Sequence, residues 1–436
     1  MAAGEGANTQ TIDGLLKDVF EDFIAEAVNQ KNPLKDVFKR KKGKFPGGRG
    51  LTFSAHVGRN AGTGFGGEDS AYPAARNQKH KQGQIDQRKL YGRVRMTWEA
   101  INDTSLSVAS FKDTKGDEMS GLVKDLARIE EFALATPGKG ILARLSGDPS
   151  TTTVELDDAG GLTHTSFGNR YIIPGMYVGA VNPANGALRT GIVEVTDTNE
   201  DGTDITTDAA PNAAWEDNDY LVQAANASVT SILDTGYERA FWGLPALVDD
   251  GTFRDDYFGI PRSTFRNFKS YVIASVGALS LDVMQRVSDV VDQKLGGAID
   301  LILGHHSTRR LYIQLLAGDR RYSGAQLMQP DGLTAAMKQG DLTVGGINFK
   351  AIRDLALDQM YFLDTANGGF MEYVSEAGKW EDGDGSIMTR DGTGTAARHA
   401  YEAMYFIRKQ NFCRYPAYSG RLDGITGQTL VVVRAE

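Results

Sequence analysis

The residues whose types and spacing could do chemistry are few. His305 and His306 form the only adjacent pair among six histidines, a residue type that serves as a general base or a metal ligand. Adjacent side chains point apart on a helix or a strand, and no His-Glu-x-x-His motif accompanies them, so we expect a loop or interface role. Residues 382–386 resemble the start of a calcium loop, but its twelfth position is Thr393 instead of a bidentate carboxylate.

The glycine-rich and acidic motifs also lack residues that known binding sites require. Residues 62–67 read Gly-x-Gly-x-Gly-Gly, but no helix or acidic ribose partner follows, as a dinucleotide fingerprint requires. Gly138-Lys139 lacks the first glycine and the hydroxyl residue of a phosphate-binding loop. The acidic pairs at 249–250 and 255–256 are expected at the surface or opposite a neighbour's basic segment. We therefore predict no catalytic residues, no metal, no cofactor and no enzyme activity.

Charge is distributed unevenly along the chain. Residues 31–95 hold sixteen Lys and Arg against four Asp and Glu, a net of +12, whereas the whole chain sums to −9. The rest therefore carries −21. A basic segment on an acidic body predicts an acidic partner, either nucleic acid or the surface of a neighbouring copy.

The basic segment is predicted to be a long two-stranded arm with a loose, glycine-rich tip. Apolar residues alternate from 51 to 57, and a return strand is expected at 90–97. An isolated hairpin is marginal in water, and this one has few apolar residues. We therefore expect the arm to lie on another surface.

Length and composition set the broad class. A chain of 436 residues predicts two or three subdomains, and 41% hydrophobic with 24% charged residues is ordinary for a globular protein. The single Cys413 excludes an internal disulfide. No apolar run approaches the roughly 18 residues that span a bilayer, and residues 1–10 do not resemble a signal peptide. We expect folding in a reducing cytoplasm, without a membrane.

Periodic apolar residues predict several elements. An amphipathic helix is expected at 11–29, a second helix at 98–112, a long helix capped by Asp117 at 117–135, and a small β-rich insertion at 149–235. Further predicted elements are a helix at 280–295 capped by Ser280, a strand at 298–303, a helix at 307–317 capped by Ser307, a hairpin at 342–352 with a Gly-Gly turn, and strands at 361–363, 370–374, 400–407 and 430–433.

Several short segments occur in a fixed order along most of the chain. They are VRMTWEAI at 94–101, the helix at 117–135 with GKGIL at 138–142, GLPALVDDGT at 243–252, IDLILG at 299–304 followed by RLY at 310–312, WEDGDG at 380–385, NFCRYP at 411–416 and GRLDGI at 420–425. In this order they resemble the major capsid proteins of tailed bacteriophages, which have the Hong Kong 97-like fold.

The resemblance implies an α+β fold with an N-arm, an extended E-loop hairpin, a peripheral domain with a spine helix, an axial domain and a β-rich inserted domain. The implied divisions are 1–43 for the N-terminal arm with its amphipathic helix, 44–97 for the E-loop, 98–148 for the peripheral domain with the spine helix, 149–235 for the insertion, 236–365 for the axial domain, 366–412 for the peripheral long hairpin, and 413–436 for the return to the axial domain.

The function implied is a capsid protein that assembles as pentamers and hexamers into an icosahedral shell around double-stranded phage DNA. The implied location is the virion, after assembly in the host bacterial cytoplasm. Implied partners are other copies, a separate scaffolding protein, a portal, a decoration protein and the packaged DNA, which would be contacted non-specifically. Two alternatives stay open: an encapsulin-type protein compartment, and a nucleic-acid-binding protein with a basic β-arm.

In the implied shell each subunit lays its arm across the next, so we expect a neighbour to supply the hairpin's missing core. Two sets of residues are predicted to contact other subunits. The first consists of cations along the arm, where complementary charge can set the register between copies. The second consists of apolar residues on the N-terminal helix. The predicted contact residues are Arg59, Arg76, Lys79, Lys81, Arg88 and Lys89 on the arm, and Leu16, Phe20 and Phe23 on the N-arm.

Overall fold

The computed structural model describes residues 34–41, 50–69, 71–105, 114–162, 167–318, 343–381, 389–390 and 399–427. Within these ranges the chain is a mixed α/β protein, rich in strands and with few helices. The predicted N-terminal helix at 11–29, the acidic loop at 382–386 and the strand at 430–433 lie outside the described residues.

The helices and strands are numbered in chain order over the described ranges. The helices are α1 (Trp98–Ser105), α2 (Thr114–Ala135), α3 (Leu244–Leu247), α4 (Leu281–Leu295) and α5 (His306–Gly318). The strands are β1 (Lys39–Lys41), β2 (Gly50–Gly58), β3 (Lys79–Asp86), β4 (Arg88–Thr97), β5 (Ile141–Leu145), β6 (Thr153–Ala159), β7 (Tyr177–Val181), β8 (Leu188–Thr198), β9 (Asp204–Thr207), β10 (Tyr220–Gln223), β11 (Asp256–Tyr257), β12 (Ile260–Pro261), β13 (Tyr271–Ile273), β14 (Gly277–Ala278), β15 (Leu301–Gly304), β16 (Thr343–Val344), β17 (Ile347–Ala351), β18 (Met360–Leu363), β19 (Phe370–Trp380), β20 (Thr389–Arg390), β21 (Ala400–Cys413), β22 (Gly420–Leu422) and β23 (Ile425–Thr426).

The described residues form two compact units. The smaller contains residues 92–105, 114–125, 380–381, 389–390 and 399–405, and the larger contains the rest. In the smaller unit, β20 pairs antiparallel with β21, and the backbone N–H of Trp98 donates to the carbonyl of His399 at 3.1 Å. The Trp98 ring lies 5.8 Å from that of Tyr401.

A six-stranded mixed sheet lies in the larger unit, in the order β13-β22-β18-β15-β17-β16. The predicted Gly-Gly hairpin is confirmed: Gly345 and Gly346 join β16 to β17 with φ of +57° and +87°, values that favour glycine. Helix α4 contributes Met284, Val287 and Val291 to the core beside this sheet.

A closed six-stranded barrel, in the order β10-β5-β6-β9-β8-β7, is also part of the larger unit. Its strands alternate buried and exposed residues, as in Thr153–Ala159, where Val154 and Leu156 point inward. Trp215 is buried in this core and donates its indole N–H to the carbonyl of Thr190 at 3.1 Å. In chain order the barrel begins with β5, which lies before the β-rich insertion predicted at 149–235.

The helix ends test the predicted caps. Ser280 caps α4, its hydroxyl accepting from the N–H of Val283 at 3.3 Å, as predicted. The predicted cap Asp117 is wrong, because α2 begins at Thr114. The predicted cap Ser307 is also wrong: α5 begins at His306, and Nδ1 of His305 accepts from the N–H of Ser307 at 3.1 Å. Sequence rules favour hydroxyl caps and overlook an imidazole in this role.

No helix in the described ranges is both long and apolar enough to cross a bilayer. The same ranges contain no group of three or more His, Cys, Asp or Glu side chains placed to hold a metal ion.

Candidate assembly interface

The predicted arm is present as an antiparallel hairpin of β2 and β3, here called the arm hairpin, with residues 59–78 as its tip. The register runs from Gly50 opposite Asp86 to Gly58 opposite Lys79. The return strand predicted at 90–97 is wrong for this hairpin. The second strand of the hairpin, β3, ends at Asp86, and Gln87 belongs to no strand. The residues that follow form β4, which pairs with β21 instead.

The base of the arm hairpin is seated on the body of its own chain. Phe53 lies over Gly83, where an added Cβ would come within 2.5 Å of the Phe53 ring. The ring centroid of Phe53 is 5.0 Å from that of Phe412. The N–H of Gln84 donates to the carbonyl of Phe258 at 2.9 Å. The expectation that a neighbour supplies the hairpin's missing core is therefore wrong for the base, where Ile85 is buried in the chain's own core.

The tip is different, because it carries exposed side chains of two kinds. Phe65 is fully exposed and Tyr72 is 97% exposed. The exposed cations of the arm hairpin and the residues beside it are Arg59, Arg76, Lys79, Lys81 and Lys89. These five predicted contact residues are accessible to another molecule.

Arg88, the sixth predicted cation, is half-buried at the root of the arm hairpin. Its guanidinium donates to the carbonyl of Glu238. Burial lowers the pKa of Arg88, and the positive charge of Arg254 lowers it further. One N–H group of the Arg88 guanidinium is thus engaged within its own chain, whereas the side chains of the other five cations are exposed. The predicted N-arm residues Leu16, Phe20 and Phe23 lie outside the described residues.

A buried ion cluster that sequence reasoning missed lies near the short helix α3. The carboxylate of Asp249 accepts from Arg262 at 3.2 Å and from Arg421 at 3.4 Å, and all three side chains are fully buried. Arg421 also donates to the carbonyl of Val248 at 2.7 Å. The predicted surface position of Asp249 is therefore wrong, because two arginines 13 and 172 residues away compensate its charge. Asp255 and Asp256 are exposed, as predicted.

A second buried cluster joins Lys35 to α2. The ammonium of Lys409 donates to Glu130 and to Glu372, the latter at 2.6 Å, and Lys35 donates to Glu130 at 2.9 Å. Burial alone would raise the pKa of Glu130, but the two lysines outweigh it and the pKa is lowered.

Glu131, beside this cluster, accepts from the backbone N–H of Leu34 at 2.9 Å. Burial, with smaller contributions from the charges of Asp354 and Glu130, raises the pKa of Glu131 to about 7. The carboxyl therefore changes charge near neutrality at the position where the backbone of Leu34 meets α2.

The side chain of His305 caps the start of α5. Its ring is largely buried, and burial lowers its pKa to about 2, so the imidazole stays neutral with Nδ1 free to accept. That nitrogen lies 2.8 Å from the hydroxyl of Ser307 and caps α5. The loop role expected for His305 is therefore that of a helix cap.

Comparison with known proteins identifies the fold. No protein-family model matches the sequence, and no curated protein matches it. Among solved structures, a chain of the cyanophage A-1(L) capsid asymmetric unit aligns over 97% of this chain and 100% of its own length, with 10% identity and a TM-score of 0.58. The capsid of a native GTA particle aligns over 97% and 100% of the two chains, with 12% identity and a TM-score of 0.49. The cyanophage match shows that this chain has the fold of a phage capsid protein, which confirms the resemblance predicted from sequence.

Proposed function

We propose that this chain, whose fold is that of a phage capsid protein, is a structural subunit of an icosahedral capsid shell. One observation carries the proposal: the cyanophage capsid chain aligns with it over nearly its whole length. Copies assemble as pentamers and hexamers and enclose double-stranded DNA, and the subunit has no enzymatic role. Its location is the virion, reached by assembly in the host bacterial cytoplasm.

The arm hairpin supports an assembly role. Its base is packed in the core of the larger unit, whereas its tip exposes cations and aromatic rings. Exposed aromatic side chains of this kind mark a surface that binds another molecule. In the proposed shell this hairpin is the E-loop, and it lies across a neighbouring subunit. Exposed cations such as Lys79 and Lys81 meet the neighbour's acidic surface, and many weak contacts add up to a stable shell.

The remaining assignments follow from the same proposal. Helix α2 is the spine helix of a peripheral domain, the six-stranded sheet belongs to an axial domain, and the barrel is the β-rich insertion. Leu16, Phe20 and Phe23 of the N-arm contact other subunits. A separate scaffolding protein, a portal and a decoration protein are the further partners, and the packaged DNA is contacted without sequence preference.

The test is negative-stain electron microscopy of the purified chain, alone and with a candidate scaffolding protein taken from its genome neighbourhood. We expect closed shells or rings of capsomer size. A persistent monomer that binds DNA tightly and loses it with added salt would overturn the proposal in favour of a DNA-binding protein. Shells purified with protein cargo in place of DNA would overturn the packaging of a genome.

Charge reversal tests the arm cations. The double variant Lys79→Glu, Lys81→Glu should fold normally, because both side chains are exposed, but should fail to form shells. A matched control, Arg266→Glu with Arg286→Glu, reverses two exposed cations outside the arm and should assemble. Normal shells from the arm variant would contradict the assigned role of these lysines.

A further inference from the structure

A cavity of about 630 Å³ opens beside the root of the arm hairpin in the larger unit. The first residues of β4, the last turns of α2 and the segment around 233–241 form its walls. The walls are mainly apolar and include Leu90, Ile129, Phe132, Leu142, Met176 and Phe241. This volume is sufficient for a large aromatic side chain together with the backbone that carries it.

The rim of the cavity has the features of an incomplete contact. Leu233 is 65% exposed and Tyr91 is 54% exposed, and both line the opening. Arg88, Lys89 and Arg239 line it as well, so three cations outnumber the single carboxylate of Asp234. Nε of Arg88 is buried, and the described part of the chain offers it no acceptor. A buried donor without a partner needs an explanation, and an anionic group from another molecule would provide one.

The tip of the arm hairpin has the complementary features. Phe65 is fully exposed, and Glu68 and Asp69 follow three and four residues later, both exposed. They are the only carboxylates between residues 50 and 85, a stretch that is otherwise basic. The tip therefore presents an aromatic ring and negative charge, which match an apolar cavity with arginines at its rim.

We propose that the cavity receives the arm tip of a second copy of this chain, with Phe65 inside it and Glu68 and Asp69 towards Arg88 and Arg239. This inference rests on the proposed function, because it names the contact through which neighbouring shell subunits hold each other. A chain that both offers the tip and carries the cavity makes a head-to-tail contact, which closes into rings when the rotation fits.

The chain's own tip is not the occupant. The paired strands run over eight residue steps from Gly50 to Gly58, which at about 3.4 Å each hold the tip roughly 27 Å from the root. In the structure Phe65 is fully exposed, so it does not lie in its own cavity.

The first test removes the ring. Phe65→Ala should raise the subunit concentration needed for half-maximal assembly about tenfold, the scale expected for one aromatic anchor at an interface. Tyr72→Ala removes an exposed aromatic from the same tip that lies outside the proposed contact, and should stay within about twofold of the unmodified chain. An unchanged threshold for Phe65→Ala would overturn the inference.

The second test traps the contact. Phe65→Cys with Leu233→Cys should form a disulfide between copies upon mild oxidation of assembled particles, seen as a ladder on a non-reducing gel. The natural Cys413 is fully buried and its pKa is raised to about 12 by burial, so it gives little background. Either cysteine alone should give no ladder. No ladder from the pair would overturn the placement of Phe65, since a disulfide needs Cα atoms within about 7 Å.

The third test addresses the charges. Glu68→Arg should weaken assembly by placing like charge beside Arg239, and Arg239→Glu should weaken it in the same way. The double variant should recover assembly, because opposite charges face each other again. A double variant that assembles no better than either single variant would overturn this pairing.

The outcomes separate the two proposals. If the unmodified chain forms no shells or rings with the scaffolding protein, both the capsid function and the tip contact fail. If it assembles and Phe65→Ala assembles equally well, the capsid function stands and only the tip contact fails. Thermal melting of each variant as a monomer checks that the substitutions leave the fold intact.

Discussion

The arm hairpin and the body to which it is attached use the same residue types in opposite ways. In the body, Asp249, Arg262 and Arg421 are fully buried and compensate one another. On the arm, Lys79 and Lys81 are exposed and hydrated. A buried charge is tolerable only with its partners, whereas an exposed charge contributes little to folding and stays available. Burial, and not residue type, decides whether a charge stabilises the fold or meets another molecule.

The largest effect is expected from breaking a buried cluster. Asp249→Asn removes the negative charge that Arg262 and Arg421 share. It leaves the buried guanidinium of Arg262 without a counter-charge, and Arg421 with that of Asp423 alone. We expect a loss of about 3–5 kcal/mol in the free energy of unfolding, measured by denaturant titration.

The matched control is Asp256→Asn, at a position that shares the acidic sequence context but is exposed. Its side chain accepts from the N–H of Gly259, a bond that asparagine can keep. We expect a change of about 0.5 kcal/mol or less. Equal losses from the two variants would contradict the contrast between buried and exposed carboxylates.

A smaller effect is expected at Glu131, and it depends on pH. Because burial raises its pKa from 4.5 to about 7, the folded state binds a proton more tightly than the unfolded state. Its contribution to stability is therefore largest below pH 4.5 and falls as the pH rises to about 7. Glu131→Gln keeps the acceptor for the Leu34 N–H and should remove this slope, a difference of about 3 kcal/mol or less across the window.

The measurement compares unfolding free energies of the two proteins between pH 4.5 and pH 7.5. Other groups titrate in the same range, so the difference between the two curves is the informative quantity. We expect Glu131→Gln to gain relative to the unmodified chain as the pH rises. Parallel curves would show that burial does not raise the pKa of the Glu131 carboxyl.

Local patterns predicted much of the fold. The first strand of the arm, the long helix, the Ser280 cap and the Gly-Gly turn each depend on residues near one another in the chain, and each is present. The return strand of the arm is formed by Lys79–Asp86 and not by the predicted residues 90–97. The exposed cations of the candidate interface were found in the same way, from a local excess of Lys and Arg.

The sequence could not predict contacts made between distant segments. Lys409 and Glu130 are 279 residues apart, and nothing in either neighbourhood indicates the other. Asp249 was misplaced for the same reason, since an acidic pair in a turn-rich segment usually lies at the surface. The His305 cap was missed because an imidazole rarely takes that role. The cavity at the arm's root is built from segments that are far apart in the chain, so no local signal could reveal it.

The smallest effect contrasts two glycines of the arm hairpin itself. At Gly83, an added Cβ would lie 2.5 Å from the Phe53 ring and 3.1 Å from the carbonyl of Phe258. Gly83→Ala should therefore displace the ring from Phe412 and cost about 1–2 kcal/mol. At Gly67, in the tip, an added Cβ meets nothing within 4 Å. Gly67→Ala should change stability by about 0.5 kcal/mol or less.

Hydrogen exchange at the Gln84 amide reports the consequence for the arm. That amide donates to the carbonyl of Phe258, so its protection measures how firmly the base is seated. Gly83→Ala should speed its exchange, whereas Gly67→Ala should leave it unchanged. If the two variants exchange alike, the base is not held by the close approach of Phe53. In that case, packing at the base of the arm hairpin would not be what orients its tip towards a neighbouring subunit.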